Sequence, residues 1–195
     1  MSEDKIMKKL ILRSASPRRK DLLKESNYEF DIIAADIDET LDPLLTPYKN
    51  VKALGLIKAS FAKEKFYGNI LLGCDTIVVL ENKIFGKPHD SNEAYEMLKM
   101  LSGKTHQVMS GVGIIYKELS FNFVCISEVT FKNLTDEDIY AYIATKECFG
   151  KAGSYAIQGI GRSLIESYKG SLSNIIGLPM EEIKKVLDEI YGMED

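Results

Sequence analysis

Two adjacent arginines, Arg18 and Arg19, follow Ser16-Pro17 at a point where a helix should begin. Ser16 is a natural N-cap, and Pro17 suits the first helical position. Cations in a first helical turn oppose the helix dipole, at about 0.3–1 kcal/mol each. An anion bound at that end reverses the argument. Open backbone N–H groups and two guanidinium forks then converge on it, most naturally on a phosphate. The alternative is a pair of solvated surface arginines.

Asp75 lies inside the run Leu71-Leu72-Gly73-Cys74-Asp75-Thr76-Ile77-Val78-Val79. A carboxylate buried in such a strand is costly unless paired or metal-bound. Facing a cleft, it can bind Mg²⁺ or orient a water. The alternative is an aspartate satisfied by neighbouring backbone N–H groups. Gly86-Lys87-Pro88 offers Lys87 as a point charge for a polyphosphate, although most exposed lysines do nothing. Lys58 falls on an apolar helical stripe, where a lysine either snorkels outward or points into a charged site. The acidic stretch Asp36-Ile37-Asp38-Glu39 carries oxygen donors of the kind that suit Mg²⁺, or is a solvated loop.

Lys151 to Gly159 holds two glycines and Gln158, whose amide offers donors and acceptors suited to a nucleobase edge. Gly170 to Pro179 is a second glycine-containing stretch ahead of a helix. Either could be an ordinary connection. Neither is a P-loop, and no Gly-x-Gly-x-x-Gly fingerprint occurs.

The elements that must position these residues alternate. A strand at Lys9–Ser14 leads into a helix with Leu22 and Leu23 inward, then a strand at Phe30–Ala34 and a loop at Asp36–Pro43. Thr46-Pro47 opens a second helix, with Val51, Leu54, Ile57, Lys58 and Phe61 at helical spacing. Ile70–Leu80 reads as a buried strand, with a hairpin turn at Glu81-Asn82-Lys83. Asp90 caps a helix with the stripe Ala94, Met97, Leu98 and Leu101, ended by Gly103. Two long strands, Thr105–Tyr116 and Phe121–Phe131, precede a helix capped at Thr135. Phe149–Gly161 reads as a loop around a short strand, Arg162–Tyr168 as a strand, and Gly170–Leu178 as a loop. Pro179 begins a last helix with Ile183, Val186, Leu187 and Ile190 on one face. The pattern predicts a mixed α/β fold with a long central sheet flanked by helices. The expectation is a single domain over residues 1–195, with 1–85 and 86–195 as candidate lobes around a cleft, although no linker marks a boundary between them.

The chain has 195 residues, with 25 Lys and Arg against 29 Asp and Glu, a formal charge of −4. That length buries roughly 70% of the unfolded surface, so neither disulfides nor a structural metal is needed. The acidic balance, without a basic stripe or an aromatic stacking platform, argues against a nucleic-acid binder. Cys74, Cys125 and Cys148 are odd in number and far apart, which fits reduced thiols rather than a disulfide framework. His89 and His106 lack the spacing of a helical zinc motif. No stretch approaches the ~18 apolar residues of a membrane span. The apolar run Leu10–Leu12 is too short for a secretory signal, so the expected compartment is the cytoplasm.

Six segments together resemble the Maf family of nucleoside triphosphate pyrophosphatases, also called septum formation inhibitor Maf-like proteins. They are Ser14-Ala15-Ser16-Pro17-Arg18-Arg19, Gly73 to Val79, Gly86-Lys87-Pro88, Leu101 to Val108, Lys151 to Gly159, and Gly170 to Pro179. They stand in the family's order over nearly the whole chain. The resemblance implies an elongated sheet with the site in a cleft between two lobes. It implies hydrolysis between the α- and β-phosphates, giving a nucleoside monophosphate and pyrophosphate, with a divalent cation, usually Mg²⁺ with Mn²⁺ as an alternative. The family's general base falls on Asp75. Its phosphate-binding positions fall on Ser16, Arg18, Arg19, Lys58 and Lys87, and an acidic position near the metal on Glu39. The triad tied to dTTP and UTP falls on Arg18, Thr76 and Gln158. Thr76, where the group acting on 7-methyl-GTP commonly has Gln, points to the pyrimidine group. A homodimer is compatible with the chain, but no segment marks an interface. The family's older name leaves a rival reading, a nucleotide-sensing regulator of septation that binds without turnover.

Overall fold

The computed structural model describes residues 8–194. Seven strands form one sheet: β1 (Leu10–Leu12), β2 (Phe30–Ile32), β3 (Ile70–Leu80), β4 (Lys83–Phe85), β5 (Thr105–Tyr116), β6 (Leu119–Phe131) and β7 (Ile165–Lys169). The main path runs β2-β1-β3-β5-β6-β7, with β4 also paired to β3. β2, β1 and β3 are parallel, and the remaining pairings are antiparallel. The sheet therefore runs unbroken through both halves of the chain.

Six helices flank it: α1 (Pro17–Glu25), α2 (Pro47–Ser60), α3 (Ser91–Leu101), α4 (Asp136–Ala144), α5 (Leu172–Ile176) and α6 (Met180–Gly192). The main core lies on one face, where Leu10, Leu12, Leu72, Val78 and Ile114 pack with apolar residues of α1, α3, α4, α5 and α6. α2 covers the other face, over Ile11, Leu71, Ile77, Val79, Met109 and Ile115. Among the described residues no helix is long and apolar enough to cross a membrane.

Local chemistry explains most boundaries. The Thr46 and Asp90 side chains accept from Lys49 and Glu93 N–H and start α2 and α3. Thr135 and Asp138 close a full capping box on α4. Glu81 and Asn82 both take positive φ, 51° and 64°, the conformation of a tight type I′ hairpin turn.

Three expectations need correction. In α2, Ile57 and Phe61 are 47% and 42% exposed, while Asn50, Gly55 and Ala59 are buried. The reason is close approach of helix to sheet. A Cβ on Gly55 would stand 2.3 Å from Gly111 O, and one on Gly111 would stand 1.8 Å from Val51 O. Gly73 and Gly113 face the same helix backbone equally tightly. The buried face thus keeps Val51, Leu54 and Lys58 of the predicted stripe, but its closest approach to the sheet is made by the small residues Gly55 and Ala59. Between Phe149 and Gly161 there is no strand; 3₁₀ turns occupy Ala152–Ser154 and Gly159–Leu164, and β7 begins only at Ile165. Gly170–Leu178 is not wholly loop, because Ser171 caps the five-residue α5.

The sheet leaves one opening. β1 pairs only with residues 70–72 of β3, and β4 only with 78–80. β5 occupies the opposite edge of β3 along 70–79. Both short strands therefore share one edge of β3, and residues 73–77 between them have no partner strand there. A cleft of about 780 Å³ forms at this gap.

Candidate active site

The gap explains how neighbours on one strand can serve one cleft. Asp75 and Thr76 project to opposite faces of β3, as successive strand residues must. Both still line the opening, because no strand closes the edge between them.

On the α2 face the close helix–sheet packing brings Lys58 over Asp75. Lys58 Nζ lies 2.8 Å from Asp75 Oδ1 and 2.8 Å from Glu39 Oε1. The Lys58 side chain is buried, and the loop after β2 supplies Glu39. One ammonium thus joins the two carboxylates that the sequence analysis singled out. Burial alone would raise the Glu39 pKa. The hydrogen bond and charge of Lys58, with Lys87 and Arg19 beyond, outweigh it and hold the carboxyl below its ordinary value.

On the other face, β1 delivers the chain to the start of α1. The Ser16 side chain makes no capping bond, so the first-turn amides of α1 stay open. Arg19 is only 9% exposed. Its Nε donates to Gly177 O at 2.7 Å, Nη1 to Ser14 Oγ at 3.0 Å, and Nη2 to Thr76 Oγ1 at 3.0 Å. A guanidinium has five N–H donors, so about two remain for a ligand. No carboxylate of the described residues pairs with Arg19. Thr76 is itself fixed by Ser110 Oγ at 2.8 Å and Gly177 O at 3.3 Å. Arg18 lines the same cleft, where burial and the charge of Arg19 press its pKa downward. Lys87, exposed just beyond β4, completes the cationic rim.

The cleft thus gathers Ser16, Arg18, Arg19, Glu39, Lys58, Asp75, Thr76 and Lys87. It does not gather Gln158, which is exposed one residue beyond the lining Ile157. Three supports went unread in the sequence: the Ser14 hydroxyl, the Ser110 hydroxyl and the Gly177 carbonyl. Ser14 and Gly177 stood inside motifs already quoted. Ser110, in the middle of β5, carried no local signal.

Six cationic side chains line the cleft against two carboxylates, although the whole chain is acidic. Arg19 is buried and fixed by three hydrogen bonds with no carboxylate beside it, which leaves its charge and remaining N–H donors suited to an anion. Among the described residues no group of three or more His, Cys, Asp and Glu could cage a metal. Glu39 and Asp75 are oxygen donors of the kind that would hold a hard divalent cation.

Fold and site together define an α/β protein with a cation-lined cleft at a break in its sheet edge. The family model described as Maf-like protein matches residues 9–190, and this chain belongs to that family. A dTTP/UTP pyrophosphatase of Bacillus cytotoxicus is 45% identical over 183 residues, covering 94% of this chain and 96% of that protein. A Bacillus cereus protein of the same name is 45% identical over 187 residues, covering 96% and 92%. Among solved structures, a HAM1 protein from Coxiella burnetii aligns over 94% of this chain and 100% of its own. Its TM-score of 0.53 at 16% identity reports a shared fold.

Proposed function

We propose that this protein hydrolyses dTTP and UTP to the nucleoside monophosphate and pyrophosphate. The observation that carries the reading is Arg19, buried and held by three hydrogen bonds without a carboxylate, in the same cleft as the Lys58–Asp75 pair. A triphosphate tail supplies the missing counter-charge. The names of the Bacillus relatives support the choice of substrate.

In this reading Arg18, Arg19 and the first-turn amides of α1 grip the phosphates, with Lys87 at the rim. Asp75 orients a water and takes its proton as the oxygen attacks the α-phosphorus. The bond from that phosphorus to the α,β-bridging oxygen breaks, and pyrophosphate leaves with the electron pair. The guanidinium groups and Lys58 stabilise the charge that develops on it. A positioned base of this kind contributes typically 10²–10⁴-fold. Glu39 and Asp75 would hold Mg²⁺, or Mn²⁺, which when bound supplies charge neutralisation at the phosphates. Lys58 Nζ lies between those carboxylates, 2.8 Å from each.

The pyrimidine end of the nucleotide belongs beside Tyr155 and Ile157, which line the cleft. Gln158 reaches the carbonyl–imide edge of uracil or thymine by turning its exposed side chain inward. The free thiols of Cys74, Cys125 and Cys148 favour a reducing, cytoplasmic setting. The test is a nucleotide panel with Mg²⁺ or Mn²⁺ and products resolved by chromatography. Specificity constants for dTTP and UTP should exceed those for ATP and GTP. A purine preference, or binding without turnover, overturns the reading.

A further inference from the structure

The segment carrying Gln158 is anchored on both sides, and neither anchor touches the phosphate machinery. On the near side, Tyr155 lines the cleft and its hydroxyl lies 2.7 Å from His106 Nε2 on β5. His106 is 1% exposed and Tyr155 4%. Phe131 closes the group edge-on, with ring centroids 5.1 Å from His106 and 4.8 Å from Tyr155. On the far side, the Glu147 carboxylate accepts from Ile160 N–H at 3.0 Å and from Gly161 N–H at 2.7 Å. Gln158 sits on the short bridge between these points.

The near anchor is a polar pair deep in an apolar core. Such a pair costs desolvation that packed apolar side chains would avoid. What it provides is a fixed distance between β5 and the cleft wall. Burial holds His106 neutral, with its pKa down at about 4, and pushes the Tyr155 hydroxyl up, so the bond persists uncharged at neutral pH. Just before this segment, the chain is tied toward the phosphate rim through backbone, Gly153 N–H to Gly86 O at 3.0 Å.

Resting on the pyrimidine reading above, we propose that His106 and Tyr155 are positioning residues for base selection. They hold the segment 155–158 so that its Tyr155–Ile157 wall accepts a pyrimidine ring and leaves too little room for a purine. Tyr155 is itself part of that wall, and His106 acts only through the Tyr155 hydroxyl.

The test compares wild type with Tyr155→Phe and with His106→Gln, alongside their melting temperatures. Steady-state constants are measured for dTTP and dATP, with inhibition by pyrophosphate as a probe of the phosphate end alone. Losing one buried hydrogen bond of this kind should shift base selection by about tenfold. The expected result is a KM for dTTP raised about tenfold, kcat changed much less, a smaller preference over dATP, and pyrophosphate inhibition unchanged within about twofold. If both variants keep the wild-type preference, or if KM and pyrophosphate inhibition weaken together, the positioning role is overturned. Wild-type protein with no preference for dTTP overturns the pyrimidine reading itself, and this inference falls with it.

Discussion

Lys58 Nζ lies 2.8 Å from Asp75 Oδ1, so the carboxylate proposed above as the base is held by a buried cation. The contact joins the last turn of α2 to the stretch of β3 left open between β1 and β4. Asp75→Asn keeps the shape and one hydrogen-bond acceptor but removes the base. Turnover of dTTP should fall by about 10²–10⁴-fold while nucleotide binding survives. Equilibrium binding beside single-turnover rates separates the two.

Arg19 depends on Thr76 in the same way. Thr76→Val removes the oxygen that receives Nη2 and also frees Ser110 from its 2.8 Å partner. The guanidinium keeps its bonds to Ser14 and Gly177 but loses its third fixed point. KM for dTTP should rise about tenfold, the scale of one charge-assisted hydrogen bond. Thr76→Ser, which keeps the hydroxyl, should recover most of that loss.

The glycine contact between α2 and the sheet sets where Lys58 points. Gly111→Ala would place a Cβ 1.8 Å from Val51 O, so the helix must move outward. We expect destabilisation of several kcal/mol, on the order of overpacking in a core, and lost activity as Lys58 leaves Asp75. Gly192→Ala, with nothing within 4 Å of its Cβ, should leave melting and turnover near wild type. Calorimetric melting and rate measurements on both variants check this.

His106 gives the fold a defined acid response. Its folded pKa of about 4 lies below the ordinary 6.5, because burial disfavours the charged ring. The unfolded chain therefore binds the extra proton first as pH falls. The stability tied to neutral His106 is present above pH 6.5 and is lost as pH drops from 6.5 toward 4, by up to about 3 kcal/mol. Denaturant titrations across that window should show this slope in wild type and a flatter one in His106→Gln.

Much of this was legible in the chain because it was local. Pro17 after Ser16 announced α1, and Asp90 and Thr135 announced α3 and α4, since capping needs only three or four neighbouring residues. An aspartate amid the apolar run of β3 stood out for the same reason. What could not be read was long-range. The buried face of α2 holds Gly55 and Ala59, which give no hydrophobic period, so Ile57 and Phe61 looked like core. α5 has five residues, too few for a stripe to emerge. The gap along β3 depends on how far β1 and β4 extend, which only pairing decides. Gln158 was singled out for its chemistry, and its exposed setting beyond Ile157 follows from anchors 52 and 11 residues away in sequence, His106 and Glu147.

The central claim is solvent attack at the phosphorus next to the sugar, and isotope tracing reads it directly. When dTTP is turned over in ¹⁸O-water, one labelled oxygen should appear in dTMP and none in pyrophosphate. Label in pyrophosphate, or products dTDP and inorganic phosphate, would contradict it.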